Sequence, residues 1–587
     1  MTLGSATLSL LDGGLGIGAQ LDRPVAVVGC SSAGTVASPV ELSTPQDVIT
    51  TFGYGPLAQS LAHILKHAGG PVIGVRTTGA TAAVLGGVAQ EGAGSSSAGT
   101  LAADGSNTST AVPALTGTPD QPYAVRVKVT TAGANSAANP KVQISMDGGA
   151  TWLLDDSVDV SASATAIGST GLSLAWTDGT FVANDFWLAV GANCPTSADA
   201  TGSVAVTASG TPLDAYDFRV KVTRAAATPS AGAAVKVSLD GGRTYGDEVS
   251  IVSGSYAVPN TGVTFAFSAA SCVVGDIYRL RTAAPTWDAT GLDAALDALA
   301  TSGRDFEFVI VEGAVNRTTV ATVKTWVTER ETAGVYTFAL CEARGQSTGE
   351  TVAAWQTSIT GADPGFQSYD FGKAGVIVAG EALVVSAVDN SAQRRSGLRV
   401  LAARLLNSAL HESPLKVKNG PVAGLYPDGD SSSVFHDGRT YTSLDLARFA
   451  CFQTVQGRPR GEYFVTARTM ATASSDYSEI QRIRVMCAAA RAALPAIATF
   501  VGDDVETKTD GTGRLTERAA QAIEQYVAAA VAQAVKVAPN EHVTAVAALA
   551  NRTDNILSTG ILRVAVTLVP RGTVNTVTAT IGYRLAA

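Results

Sequence analysis

The sequence predicts a multidomain protein: an α/β plus α+β body that carries two inserted all-β, sandwich-like repeat domains. Its 587 residues are enough for several domains. Strand and helix patterns alternate on both sides of residues 110–285, whereas the pattern within that segment is β only. The segment also contains one unit twice, with matches at one fixed interval: Gly117 and Gly210, Arg126 and Arg219, Ser145 and Ser238.

The composition favours assembly over nucleic-acid binding. Hydrophobic residues make up 46% of the chain and charged residues only 16%, so apolar material for cores is ample and few charges keep copies apart. Alanine-rich helices add flat, closely packing faces. The net charge of −9 argues against a nucleic-acid partner, which needs a clustered basic face. We expect no cofactor.

The cysteines and the chain start indicate an intracellular protein. Six scattered cysteines contain no CxxC pair, so we expect reduced, mostly buried thiols. The start MTLGSATLSLLDGG lacks the basic region of a signal peptide, and no run of about 18 apolar residues predicts a membrane span.

Residues 1–20 are predicted to be an N-terminal strand arm. Ala6, Leu8 and Leu10 alternate with polar residues as in a short strand, and a glycine-rich stretch follows. The stretch GGLGIG lacks the spacing of a dinucleotide-binding fingerprint, so we interpret it as a hinge.

Residues 21–78 are predicted to begin a discontinuous α/β domain. Val25–Gly29 and Pro71–Val75 are typical of buried strands. Thr44 is positioned to cap a helix with proline at its first position, and Pro56–His67 has the period of a second helix. His63 and His67 have a zinc-compatible spacing there, but the glutamate of HExxH is absent, so we interpret them as surface residues.

Residues 79–109 are predicted to be a Gly/Ser-rich linker, followed by β domain 1 (110–205) and β domain 2 (206–285). SMDGGATW and SLDGGRTY resemble the Asp-box hairpin of sialidases and other propellers. We interpret Asp147 and Asp240 as structural groups that accept hydrogen bonds from their own turns, with Trp152 and Tyr245 closing the hairpins. A glycosidase would need more copies at blade spacing.

Residues 286–415 are predicted to complete the α/β domain, with the insertion in one connection of its sheet. Asp288 or Thr290 would cap the first helix. The further predicted elements are strand Phe306–Val311, helix Thr319–Glu331, strand Val335–Leu340, helix Thr351–Thr360, one or two strands in Val376–Val388, and helix Ser391–Ser408.

Residues 416–572 are predicted to form an α+β domain and residues 573–587 a C-terminal strand arm. The arm alternates apolar residues at Val574, Val577, Ile581 and Tyr583. Within the domain we expect helix Asp445–Gln453, strand Glu462–Arg468, helices Ser478–Thr499 and Leu515–Val535, and strands Val543–Leu549 and Ile561–Val569.

Three stretches resemble the tail sheath proteins of contractile bacteriophage tails and related contractile injection systems, as a divergent branch. They are VELSTPQDVITTFGYGPLAQSLAHILKHAGGPVIGVRTTG, the α/β run from Phe306 to Ser408, and the ending with DYSEIQRIRVMCAAARAAL and ILRVAVTLVPRGTVNTVTATIGYRL. The resemblance covers about 1–78 and 286–587, and the β domains correspond to outward decorations.

The resemblance implies a virion tail protein assembled in a bacterial cytoplasm. Subunits would stack as hexameric rings around a tail tube protein, exchange terminal strands and rearrange on contraction. Baseplate and tail terminator proteins would be further partners. A strand arm at each end fits strand exchange, because an unpaired edge strand pairs readily with another chain; the arms could also pair within their own chain.

Two other classes stay open. Tandem β domains are also found in surface adhesins or receptor-binding proteins, although usually at a terminus or in longer arrays. An enzyme on the α/β sheet would carry polar residues just after strands; Cys30, Glu312 and Cys341-Glu342 hold such positions, without a nearby histidine in the sequence. We expect no catalytic or metal-binding residue.

Overall fold

The structure divides into two compact units. One unit comprises residues 83–284, and the chain on either side builds the other, which we call the body. The computed structural model describes residues 20–79, 83–90, 100–103, 107–117, 125–135, 140–146, 152, 158–160, 164–167, 172–190, 204–224, 226, 228–270, 272, 275–347, 350–426, 442–455, 457–465, 468–472 and 474–574.

The first segment of the body follows the predicted order of strand and helix. Its elements are β1 (Gln20–Gly29), β2 (Val40–Leu42), α1 (Pro45–Phe52), α2 (Pro56–His67) and β3 (Gly70–Arg76). The predicted cap is confirmed: the Thr44 side chain accepts a hydrogen bond from the amide of Asp47, and the Asp47 carboxylate accepts one from the amide of Thr44.

The inserted unit is all β. Its first strands are β4 (Val84–Leu85), β5 (Ala89–Gln90), β6 (Thr100–Ala103), β7 (Pro113–Gly117), β8 (Arg126–Thr131), β9 (Gly133–Ala134), β10 (Lys141–Ser145), β11 (Val158–Asp159), β12 (Thr165–Ala166), β13 (Leu172–Trp176), β14 (Thr180–Phe181) and β15 (Phe186–Val190). The remaining strands are β16 (Val206–Gly210), β17 (Asp217–Arg224), β18 (Ala234–Ser238), β19 (Val249–Ser250), β20 (Ser255–Val258), β21 (Val263–Phe267) and β22 (Ile277–Ala283).

The two copies of the repeat have the same strand order. In the first copy the larger sheet runs β11-β10-β8-β15 and the smaller β12-β13-β7; in the second the corresponding orders are β19-β18-β17-β22 and β20-β21-β16. Both sheets of a copy contribute side chains to one core, around Val127 in the first copy and Val220 in the second. The sequence repeat is therefore a repeat of topology.

The predicted linker at 79–109 contains strands, which corrects that prediction. β4 and β5 pair with β22 of the second copy, and β6 pairs with β15 of the first. This pairing uses backbone groups, so residues such as Gly, Ala and Thr can form it without the apolar alternation by which strands are recognised. Strands β4 to β6, which precede the repeats in the chain, thus pair with an edge strand of each copy.

The body resumes with three helices and three strands. They are α3 (Ala289–Thr301), β23 (Val309–Val315), α4 (Arg317–Thr332), β24 (Ala339–Ala343), α5 (Val352–Thr360) and β25 (Gly375–Val378). The three strands join β1, β2 and β3 in a six-stranded sheet of order β2-β3-β1-β23-β24-β25. This sheet is parallel except for β2. The predicted parallel sheet is confirmed, and the insertion lies in the connection from β3 to β23.

Helices cover both faces of the six-stranded sheet. Ala26 and Val28 of β1 face a core shared with α3, α4 and α5, whereas Val25 and Val27 face one shared with α1 and α2. Asp288 caps α3 by accepting from the amide of Gly291 at 2.7 Å. Burial on both faces explains why these strands are continuously apolar.

The remaining chain adds helices and short sheets. Its elements are β26 (Glu381–Val385), β27 (Ala392–Ser396), α6 (Leu398–Leu406), α7 (Thr442–Leu446), β28 (Phe452–Thr454), β29 (Glu462–Phe464), α8 (Ile480–Ala498), α9 (Glu517–Val535), β30 (Val543–Ala550), α10 (Ile556–Thr559) and β31 (Val564–Pro570). The predicted long helices and the two described terminal strands are confirmed.

Two helix predictions in this region are wrong in part. The first half of the predicted helix Ser391–Ser408 is β27, which pairs with β26, and Arg394 across that pair contacts Glu381 at 2.9 Å. The end of the predicted helix Asp445–Gln453 belongs to β28, where Phe452 stacks on Phe464 of β29 at 4.9 Å. Both segments carry helix-compatible residues, and tertiary pairing overrides that local preference.

Candidate functional site

The terminal sheet is a two-stranded hairpin formed by β30 and β31. The strands are antiparallel, with Ala547 opposite Thr567 and Leu549 opposite Ala565. Within the described part of the chain each strand is paired on one side only, so each leaves a row of backbone groups at an edge. A hairpin of two strands is marginal by itself and depends on what packs on it.

Helices cover one face of the terminal sheet and leave the other exposed. Val566 and Leu568 of β31 face α8 and α9, where they pack near Val531 and Val535. On the opposite face Leu549 is 61% exposed and Val569 is 51% exposed. The alternation therefore places apolar side chains on both faces, which is unusual for a sheet with a solvated side.

Helix α8 connects the terminal sheet to the six-stranded sheet. Ile480 and Ile483 pack in the core of the large sheet, whereas Val485 packs against the terminal sheet. Arg484 lies between them and forms a buried ion pair with Glu307, just before β23, at 2.8 Å. Met486, on the same helix, is 37% exposed.

A cavity of about 320 Å³ lies beside β31. Val485 and Met486 of α8 line it together with Val566 and Leu568 of β31, and His411 and His542 lie at the same cavity. Charged residues, including Glu479, Arg482 and Arg571, complete the lining. A cavity beside a strand, lined by both apolar and charged side chains, suits an extended peptide segment.

The two histidines at this cavity contact each other. Their Nδ1 atoms are 3.1 Å apart, so one ring donates a hydrogen bond and the other accepts it. Burial and the neighbouring His411 lower the pKa of His542 to about 4, and burial also lowers the pKa of His411. Protonating both rings at this distance would place two positive charges in contact.

The predicted arm residues fall mostly outside the described residues. Val574 is the exception: it follows β31 and is 76% exposed. The others outside the described part are Ala6, Leu8, Leu10, Val577, Ile581 and Tyr583. Their pairing is therefore a proposal.

The Asp-Gly-Gly hairpin of the second repeat forms a closed local network. The Asp240 carboxylate accepts from the amide of Thr244 at 2.9 Å and from its hydroxyl at 2.6 Å, and Ser238 donates to it at 2.7 Å. The Ser238 hydroxyl in turn accepts from the amide of Gly242 at 2.8 Å. Tyr245 is half-buried beside this turn. In the first repeat Trp152 is also half-buried, and Asp147 lies outside the described residues.

The position where an α/β sheet usually binds a ligand is filled by side chains. That position is the carboxyl end of β1 and β23, adjacent strands whose connections leave in opposite directions. Glu312 lies there in a buried ion pair with Arg399, and its carbonyl accepts from the Trp287 indole at 2.8 Å. A Cβ on Gly29 would lie only 3.1 Å from Cβ of Glu312.

Neighbouring groups at these strand ends are poorly suited to nucleophilic catalysis. Burial raises the pKa of the Cys30 thiol and that of Cys341, which disfavours the reactive thiolate. The Glu342 carboxylate accepts from the amide of Gly313 at 2.7 Å, and burial together with the nearby Glu312 raises its pKa. We interpret this cluster of side chains as a buried structural network.

Sequence reasoning missed three of these groups. Arg399 and Arg484 each interrupt an apolar helix segment, and a charged residue within such a segment is a signal for a buried ion pair. The contact of His411 with His542 carries no local signal, because the two are far apart in the chain. His63 was predicted to be a surface residue and is in fact buried, and burial lowers its pKa well below the usual value.

The described residues contain neither a metal-binding cluster nor a membrane-spanning helix. In the described ranges no three His, Cys, Asp or Glu side chains are grouped so as to hold a metal ion. Among the helices of that part of the chain, none has both the length and the apolar character needed to cross a membrane.

Comparison with known proteins gives low structural similarity to sheath proteins. The sheath tail protein of Desulfitobacterium hafniense is 10% identical with a TM-score of 0.36, covering 97% of this chain and 100% of that one. The sheath tail protein Lin1278 of Listeria innocua is 11% identical with a TM-score of 0.36, covering 94% and 96%. The anti-feeding prophage baseplate is 11% identical with a TM-score of 0.33, covering 52% and 76%. Similarities at this level carry no argument about function.

Comparison with sequence families identifies the family of the chain. No curated protein matches the chain. The family described as "DUF2586, N-terminal domain" matches residues 3–468, which is well over half of the sequence. The protein is therefore a member of the DUF2586 family.

Proposed function

We propose that this protein is the structural subunit of a contractile tail sheath or a related injection device. Copies would stack as hexameric rings around a tail tube, contact baseplate and terminator proteins at the ends, and rearrange on contraction. The sequence resemblance over 1–78 and 286–587 supports this proposal.

The observation that carries the proposal is the open terminal sheet. Among the described residues, strands β30 and β31 each leave an unpaired edge, and apolar side chains form part of the lining of the cavity beside β31. A terminal segment of another copy could add a strand there through backbone hydrogen bonds, with apolar side chains entering the cavity. The two predicted arms are such segments. A glycine-rich hinge separates the N-terminal arm from the body, and the C-terminal arm directly follows β31.

The energies of strand addition suit a lattice. A net gain of about 0.5–1.5 kcal/mol per hydrogen bond makes a five-residue strand a contact of modest strength, since ordering the arm offsets part of it. Every copy would both donate and accept, so the contact is heterologous and propagates as rings or helices. Many contacts of modest strength can hold a sheath together while the body of each copy moves as a unit.

The body is built to move as one piece in this proposal. Helix α8 joins the six-stranded sheet to the terminal sheet through its two apolar faces and the buried Arg484–Glu307 pair. The inserted unit, which we propose to consist of two sandwich-like decorations, leaves and re-enters the body at one place: a Cβ on Gly79 would lie 4.0 Å from Cβ of Pro285. Its removal should spare the body.

Truncation tests the proposal. Deleting residues 1–18, or all residues after Thr573, should leave a folded monomer that no longer forms tubes in sedimentation and negative-stain micrographs. If both truncated proteins still polymerise, strand exchange is wrong. If the full chain stays monomeric in the presence of tail tubes, the sheath function itself is wrong, and isolated particles that bind a cell surface would instead favour an adhesin.

A further inference from the structure

The larger sheet of the second repeat exposes a cluster of cationic side chains, which we call the basic face. Phe218, Val220 and Val222 of β17 point into the repeat core, so the intervening residues point away from it. The basic face consists of Arg219 and Lys221 on β17, Lys236 on β18, and Arg279 and Arg281 on β22. All five are exposed or half-buried.

Like charges lie directly opposite each other on this face. Lys221 is the register partner of Lys236 on one side, and Arg219 is the partner of Arg279 on the other. Directly opposed like charges destabilise a sheet. Asp217 partly offsets this, because its carboxylate accepts from Arg279 Nε at 2.8 Å and contacts Arg281 at 3.3 Å.

The first repeat provides an internal comparison at the same positions. Arg126 and Lys128 correspond to Arg219 and Lys221, but Leu188 lies opposite Arg126 and Gln143 lies opposite Lys128. Both cations also contact the Phe186 ring, at 4.9 and 5.5 Å. The first repeat thus places neutral residues opposite its two cations, whereas the second places cations opposite cations.

This concentration runs against the charge of the whole chain, which is −9. Alternate residues of a strand are about 7 Å apart and neighbouring strands about 5 Å apart, so the basic face is a flat grid of cations at those spacings. Such a grid matches a ligand with charges repeated along an extended backbone. Base stacking would need aromatic rings among the cations, and the described aromatic residues of β17 and β22 face the core instead.

We propose that the basic face binds a linear anionic glycan, one that carries carboxylate or phosphate groups along its chain. The lysine and arginine side chains would form charge-assisted hydrogen bonds with these groups, which relieves the repulsion within the sheet. This site is independent of the function proposed for the terminal sheet, since it lies in the inserted unit.

Binding of the full-length protein to labelled polyanions tests the proposal. Fluorescein-labelled polygalacturonate and polyphosphate are titrated with the protein at several salt concentrations, with neutral dextran and single-stranded oligothymidylate alongside. We expect binding to polygalacturonate that weakens with salt and is absent for dextran, whereas binding to polyphosphate alone would contradict a glycan site. The variant Lys221→Gln/Lys236→Gln should lose about tenfold in affinity and reduce the salt slope by about 2, because two ion contacts are removed.

The matched control is Lys128→Gln/Lys141→Gln in the first repeat, which removes the same charge from the corresponding sheet. It should change the affinity less than twofold. Because Lys221→Gln/Lys236→Gln relieves like-charge repulsion, its thermal midpoint should not fall, which separates lost binding from lost folding.

Several outcomes would overturn the proposal. They are no binding of either polyanion at low salt, an equal loss in the control variant, or tighter binding of oligothymidylate, which would indicate a nucleic-acid site. If Lys221→Gln/Lys236→Gln binds normally and instead changes sedimentation of the full chain, the basic face is a contact between copies and the glycan site is wrong.

Discussion

The six-stranded sheet and the terminal sheet of the body form the same kind of backbone hydrogen bonds, but they differ in how far other elements cover them. The large sheet is covered by helices on both faces, and its ligand-binding position is filled by Glu312 and Trp287. The terminal sheet is covered on one face only and leaves two strand edges in the described part of the chain. We infer that a closed sheet provides rigidity, whereas an open one offers contacts to other chains.

The largest expected effect comes from truncating a side chain between the large sheet and its helices. Ile310→Ala should destabilise the body by about 2–5 kcal/mol, since the residue is fully buried and its removal leaves a cavity. The matched change Val569→Ala on the exposed face of the terminal sheet should cost less than about 0.5 kcal/mol. Denaturant unfolding measures both, and similar losses would contradict the distinction between closed and open sheets.

Raising the pH from 4.5 to neutrality should weaken the closed sheet. Burial and Glu312 raise the pKa of Glu342 from the usual 4.5 to about 7, so its neutral form stabilises the fold fully below pH 4.5 and the contribution is lost as the pH rises through about 7. Glu342→Gln should therefore flatten the fall in stability over this pH range. The control Glu350→Gln should leave that fall in place, because the Arg344 side chain holds the pKa of Glu350 at about 2.

The comparison also applies to a hairpin turn in the inserted unit, which is held by hydrogen bonds among its own residues. Asp240→Ala should lower stability by about 1–2 kcal/mol, because the hydroxyl of Ser238 and the amide and hydroxyl of Thr244 lose their acceptor. Asp147→Ala tests the same role in the first repeat. An unchanged unfolding transition together with lost glycan binding would show that the aspartate is functional and not structural.

Acid pH should weaken the region of the open sheet. The pKa of His542 is lowered from 6.5 to about 4, so its neutral form contributes stability fully above pH 6.5 and that contribution is lost as the pH falls toward 4. His542→Gln should reduce the acid sensitivity of hydrogen exchange in β30 and β31. An identical acid profile in the variant would remove the histidine pair as the cause.

The smallest effect is expected from removing the inserted unit as a whole. Replacing Ala83–Ala284 with a short Gly/Ser linker should leave the thermal midpoint of the body nearly unchanged, because the chain leaves and re-enters it at adjacent positions. Cutting at residue 110 instead would leave β4, β5 and β6 without their partner strands. An insoluble product from the first replacement would show that the unit supports the body.

Much of the fold was predictable because its signals are local. The capping residues Thr44 and Asp288, the continuously apolar strands and the Asp-Gly-Gly turn of the second repeat each act within a few residues, and the structure has each in place. The predictions failed where a partner from elsewhere decides the conformation. β27 is a strand because β26 pairs with it, and β4 to β6 are strands because the repeats offer them edges.

The sequence by itself determined the repeat and the parallel arrangement of the body, because periodicity and capping depend on neighbouring residues. Only the tertiary structure decided that Glu312 and Arg399 fill the carboxyl end of the sheet, that Lys221 lies opposite Lys236, and that β30 and β31 have no third strand beside them among the described residues. Each of these depends on which strands become neighbours. Strand pairing joins distant residues through backbone groups that every amino acid shares, so no local pattern encodes it.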